Sequence, residues 1–117
     1  MENTNGAEIM AMPIDVNDKG FDSFIDSEGL TVVEFWDPWC SICAEMAPIY
    51  EALSTRYGGK AKFGKLNMRE NKKMADLYEV YITPTFIFFR KGKEISRLGG
   101  LLQPNELEIE LEKQLSQ

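Results

Sequence analysis

The chain contains no histidine. That removes imidazole as a general base, as a member of a nucleophilic triad and as a metal ligand, and leaves any chemistry to thiols, carboxylates, lysines or hydroxyls. No apolar run approaches the roughly 20 residues needed to span a bilayer. The opening stretch MENTNGAEIMAM lacks the basic segment and apolar core of a secretory leader, so the expectation is a cytoplasmic protein with no membrane anchor. Positive charge is in deficit: 13 Lys and Arg stand against 19 Asp and Glu, a formal net charge of −6. This argues against nucleic acid or an anionic membrane as partner, since both demand clustered cations. The G-x-G-x-x-G pattern of dinucleotide-binding folds is missing, and no cofactor is expected. Internal repeats and low-complexity tracts are absent too. Cysteine is scarce, and Cys40 and Cys43 are the whole supply.

What remains is an ordinary globular balance, 44% apolar and 27% charged over 117 residues, which suits one domain. Residues 1–8 are polar and read as a flexible tail, leaving 9–117 as a single domain. Ile9 to Val16 reads as a short edge strand, where Pro13 is tolerable. Asn17 or Asp18 is placed to cap a helix that turns Phe21, Phe24 and Ile25 inward and ends at Gly29. LTVVEFW (30–36) is almost continuously apolar, as a strand buried on both faces must be. A helix follows from about Cys40 to Tyr57, with Met46, Ile49, Tyr50, Leu53 and Tyr57 as its core stripe, a kink expected at Pro48 and a stop at Gly58-Gly59. AKFGKLN (61–67) reads as a strand, ENKKMADLY (70–78) as a short helix and TFIFF (85–89) as a buried strand. RKGK (90–93) makes the turn into a return strand, EISRL (94–98). Pro104 opens a last helix, with Leu107, Leu111 and Leu115 facing inward and Glu106, Glu108, Glu110 and Glu112 mostly outward. The order β-α-β-α-β-α-β-β-α predicts an α/β fold: a central mixed β-sheet with helices on both faces.

WDPWCSIC (36–43) can be read in several ways. Tetrahedral zinc wants four ligands, and one CxxC without histidine offers two. A structural staple closing so short a loop restrains the unfolded chain little. Two inert buried thiols are a plainer reading, since free cysteine is often buried. Position argues for reactivity instead. Cys40 lies where a buried strand hands over to a helix, facing the positive end of the helix dipole and unpaired backbone N–H groups. Both favour the thiolate, which is the nucleophile. Cys43 sits nearly one turn later on the same face, within reach of Cys40.

VVEFW, PWCSIC, a helix carrying AEMAP, then KLN, TPT before an apolar strand, KGK and finally GG come in an order that resembles the thioredoxin family from about Ile9 to Leu115. CxxC alone is a weak signal. Preceded by Trp39 and followed about 40 residues on by Thr83-Pro84, it is a strong one. The resemblance implies a thioredoxin fold and a thiol–disulfide oxidoreductase that reduces protein disulfides. Cys40 would attack, Cys43 would resolve, and a thioredoxin-reductase-type protein would supply electrons to a monomer. It implies a proton-accepting role for Glu34, where the family usually has aspartate behind the resolving thiol. A carboxylate in a buried strand should have a raised pKa. Lys65 resembles the family lysine beside that acid. The substrate-contact surface implied comprises Trp39, Ser41, Ile42, Thr83, Pro84 and one or both of Gly99 and Gly100, with Thr83-Pro84 in the cis form and packed against the cysteines. Asp37 departs from the small residue common in the family, and its charge should oppose a Cys40 thiolate. Ser41-Ile42 departs from the usual Gly-Pro, and Ala44 from a common lysine. The Ser-Ile pair restores a backbone N–H and predicts a less negative redox potential, which keeps an oxidase or isomerase of this fold as an alternative. A noncatalytic binding module is another.

Overall fold

Nine elements follow one another in the predicted order in a computed structural model that describes residues 12–117. They are β1 (Ile14–Asp15), α1 (Phe21–Ile25), β2 (Leu30–Trp36), α2 (Ser41–Tyr57), β3 (Ala61–Asn67), α3 (Lys72–Leu77), β4 (Thr85–Arg90), β5 (Lys93–Gly99) and α4 (Glu106–Leu115). The predicted tail and residues 9–11 of the predicted edge strand lie outside the described residues. What is described of that strand is the two-residue β1.

The strands form one mixed sheet in the order β1-β3-β2-β4-β5. β3 runs parallel to both β1 and β2, while β4 is antiparallel to both β2 and β5. β2 and β4 hold the middle, and their apolar runs are buried on both faces as predicted. Alternate residues feed two cores. Leu30, Val32, Phe63, Phe86 and Phe88 meet Met46, Tyr50 and Leu53 of α2 and Leu107 and Leu111 of α4. Val33, Phe35, Leu66, Ile87 and Phe89 meet Phe21 and Ile25 of α1 and Met74 and Ala75 of α3 on the opposite face. Each fully buried Phe in these layers stabilises the fold by about 1.5–3 kcal/mol relative to exposure. The β4–β5 hairpin turns on Lys91 and Gly92, both at positive φ (54° and 77°), the pairing that suits a two-residue primed turn. β5 is an edge strand, and it presents Lys93, Glu94 and Arg97 at the surface.

Several boundaries differ from expectation. α1 is a single turn that stops at Ile25, short of Gly29. Asn17 does not cap α1 directly: its Oδ1 accepts the Gly20 N–H at 2.8 Å, closing the turn before the helix. Asp18 caps a different helix, accepting the Lys73 and Met74 N–H groups at the start of α3 at 3.1 and 2.9 Å. α4 begins at Glu106, two residues after Pro104. Its acids are not all outward. Glu110 accepts from Ser96 Oγ (2.6 Å) and Gln114 Nε2 (2.7 Å), and Tyr57 Oη bonds to Glu108 and Glu112, while Ile109 is exposed. α2 runs through Pro48 as one helix.

Candidate active site

β2 ends at Trp36 in the middle of the sheet, and the turn Asp37–Cys40, closed by Cys40 N–H to Asp37 O (3.1 Å), delivers the chain to α2. Cys40 is the N-cap of α2 rather than its first residue, and its Sγ accepts the Cys43 N–H at 3.1 Å. A thiol sulfur thus takes the place that a Ser or Asp oxygen usually fills, at the positive end of a 17-residue helix. The Cys40 S–H points to Thr83 O, 3.5 Å away. Cys40 is part-exposed and Cys43 is buried.

The two sulfurs differ in proton affinity. Burial pushes the Cys40 thiol up, but hydrogen bonds outweigh it: from Cys43 and Thr83, and from the backbone N–H groups of Cys43 and Ile42. Its pKa falls below the ordinary value. Burial pushes Cys43 up to about 12, helped by its hydrogen bond to Cys40. A nucleophile and a protected partner are therefore set one helical turn apart. Ile42 is one of the N–H donors that lowers Cys40, so the departure from proline has a direct effect at the sulfur.

Behind Cys43 lies a cavity of about 140 Å³, lined by Cys40, Cys43, Glu34, Lys65, Tyr50 and Glu51 among others. Glu34 is 4% exposed. Its pKa is raised from the ordinary 4.5 to about 7, chiefly by burial, with Lys65 opposing and Glu51 assisting. Lys65 stands beside it in register on β3. Its Nζ lies 5.7 Å from the centre of the Trp36 ring and 4.0 Å from Asp15 Oδ1. The Tyr50 hydroxyl, buried nearby, reaches Gly64 O at 2.7 Å and Val32 O at 3.1 Å and so bridges β3 and β2 under the cavity.

On the solvent side, Trp39 is 79% exposed. The Thr83-Pro84 peptide bond is cis, and Pro84 is buried. No described residue accepts a hydrogen bond from the Thr83 N–H. Ser41 is exposed, and Ile42 leans on the core. The two glycines separate clearly. A Cβ on Gly99 would lie 3.0 Å from Ile82 and 3.1 Å from Thr85, so that glycine answers to packing. Gly100 has φ +80° and donates its N–H to Pro84 O at 2.9 Å, which ties it to the loop beside Cys40. Asp37 accepts the Cys40 N–H through its backbone carbonyl rather than through its carboxylate. It is engaged elsewhere, accepting the Trp39 N–H at 2.8 Å and pairing with Arg69 at 3.3 Å. Arg69, which no periodicity singles out, is the neighbour that sequence reasoning missed.

The thioredoxin family model matches residues 12–113. A thioredoxin of Staphylococcus epidermidis is 39% identical over 102 residues, covering 87% of this chain and 97% of its own. A Staphylococcus aureus thioredoxin is 38% identical over the same shares. Among solved structures, a Malassezia sympodialis thioredoxin superposes with a TM-score of 0.82 at 25% identity, over 89% of this chain and 92% of that one.

Proposed function

This chain belongs to the thioredoxin family and is a thiol–disulfide oxidoreductase, and from that premise we propose that Cys40 attacks, Cys43 resolves and Glu34 takes the resolving proton. The observation that carries this reading is the placement of the two thiols: Cys40 is part-exposed at the start of α2 with its Sγ taking the Cys43 N–H at 3.1 Å, and Cys43 is buried behind it. The Cys40 thiolate attacks one sulfur of a substrate disulfide. The substrate S–S bond breaks, a Cys40–substrate disulfide forms, and the leaving thiolate takes a proton from solvent. Cys43 then gives its proton to Glu34 through the shared cavity and attacks Cys40 Sγ. The second substrate sulfur leaves as a thiolate and takes a proton from solvent, Glu34 returns the Cys43 proton to solvent, and a Cys40–Cys43 disulfide remains. Two electrons pass from protein to substrate. Lys65 helps Glu34 release its proton by favouring the carboxylate.

Protein disulfides are the substrates this surface suits. Trp39 and Pro84 offer apolar contact, and the Thr83 N–H with the approach over Gly100 allows an extended chain to pair in the manner of strand addition. The protein works as a monomer and a single domain in the cytoplasm, and a thioredoxin-reductase-type protein returns its electrons. The Ile42 N–H on Cys40 favours a couple less reducing than the family's usual Gly-Pro form, which is the observation behind a second reading as an oxidase or isomerase.

The test is a pair of single replacements exposed to a disulfide-bonded protein. Cys43→Ser is expected to accumulate a mixed disulfide on Cys40, and Cys40→Ser to accumulate none on Cys43. The reverse pattern overturns the assignment.

A further inference from the structure

Arg69 follows β3 by two residues and is fastened by its own backbone, the N–H donating to Asn67 Oδ1 at 2.9 Å. Its guanidinium carbon lies 5.5 Å from the centre of the Trp39 ring. Its Nη2 lies 3.3 Å from both Asp37 oxygens, and Nε and Nη1 donate to no described residue. The side chain is 51% exposed. An open groove of about 400 Å³ is lined by Asp37, Trp39, Arg69, Cys40, Ile42 and Thr83, among others. The same groove therefore holds the attacking sulfur, the loop that would pair with a substrate and one cation.

That cation is only partly engaged by the protein and keeps its other nitrogens toward solvent. A single nitrogen straddling two oxygens at 3.3 Å is a poor version of the two-nitrogen fork an arginine makes with carboxylate, at about 2.7–2.9 Å. The ring beneath restricts the guanidinium, so little freedom is left to lose when a second carboxylate arrives. Elsewhere the molecule repels anions, with its net charge of −6.

We propose that Arg69 is a specificity-determining residue: the groove beside Cys40 takes a polypeptide disulfide that carries a carboxylate side chain next to the cysteine under attack. Trp39 holds the guanidinium beside the groove, and Asp37 competes with an incoming carboxylate for one of its nitrogens. This rests on Cys40 being the attacking thiol and adds nothing to the exchange chemistry.

Three peptides with one internal disulfide, alike except for Glu, Gln or Lys beside the reactive cysteine, test it. The readout is the second-order rate at which each oxidises the reduced protein. The Glu peptide is expected to react about two- to fivefold faster than the Gln peptide, the scale of one partly exposed ion pair, and the gap should shrink as salt rises. Arg69→Gln is expected to abolish the gap and leave the Gln-peptide rate within about twofold, and Arg69→Lys to restore part of it. Arg69→Glu should make the Lys peptide the preferred one. Asp37→Asn, which keeps the acceptor for the Trp39 N–H, should widen the Glu advantage. No Glu advantage in the parent protein, or an advantage that survives Arg69→Gln, overturns the subsite alone. Failure of all three peptides to oxidise the protein overturns the reading of Cys40 and the subsite with it.

Discussion

Glu34 shows how one methylene-longer acid can be read both as a functional group and as a fault in the fold. Its pKa of about 7 against an ordinary 4.5 means that the native state holds the proton more tightly than the unfolded chain does. Native protein therefore binds more protons between those values. Stability falls as pH climbs through that window, by up to about 3 kcal/mol once the group is ionised. Urea denaturation at a series of pH values should show this decline in the parent protein and a flatter profile in Glu34→Gln. Parallel profiles would show that the carboxyl is solvated. The same replacement removes the proton acceptor proposed for Cys43, so the mixed disulfide on Cys40 is expected to resolve about 10²-fold more slowly. At this scale the sequence was partly legible. Glu34 stood out because everything around it in LTVVEFW is apolar. Arg69 did not, because hydropathy patterns report which face a residue takes and say nothing of a loop side chain meeting Asp37 from 32 positions away.

The start of α2 is the element on which redox behaviour turns. Four groups converge on Cys40 there, and the backbone N–H of Ile42 is the one that proline would delete. Ile42→Pro is expected to raise the Cys40 pKa and drive the potential more negative, by about 30 mV if the lost donor changes the equilibrium tenfold. Ile42 also packs on the core, so Ile42→Val, which trims the side chain and keeps the N–H, separates the two effects and should leave the potential in place. Thioredoxin itself, the standard reference for this couple, lies near about −270 mV. A parent value at or below that figure would contradict a thiolate favoured by the extra donor. Helix and strand identities were legible because the long apolar runs and the CxxC boundary are strong local signals. Gly29 looks like a stop signal, but α1 ends earlier, at Ile25, whose carbonyl takes the Gly92 N–H of the β4–β5 turn at 3.1 Å. Nearness along the chain points Asp18 to α1, whereas its carboxylate reaches the start of α3, 55 residues away.

Across the whole molecule, Gly64 marks where the sheet and α1 press closest. A Cβ there would lie 2.6 Å from Phe24 and 2.8 Å from Val16. Gly64→Ala is expected to cost about 1–3 kcal/mol, seen as a lower urea midpoint with an unchanged slope, while Cys40 alkylates as before. An unaltered midpoint would mean that Phe24 swings aside freely. The mixed sheet was legible from the alternation of elements, but nothing in the sequence announced how tightly β1, β3 and α1 would crowd around one glycine. The outermost strand carries a different consequence. A protein proposed to lend its own main chain to passing polypeptides must also guard any unpaired border against them. Here β5 sets Lys93, Glu94 and Arg97 along that border, with Ile95 exposed beside them, and a hydrated charge is a poor neighbour for an incoming strand. With strand addition discouraged at the rim, the proposed pairing at Thr83 becomes the site where an extended chain is taken up beside the cysteines, so that capture would lead to chemistry rather than to clumping.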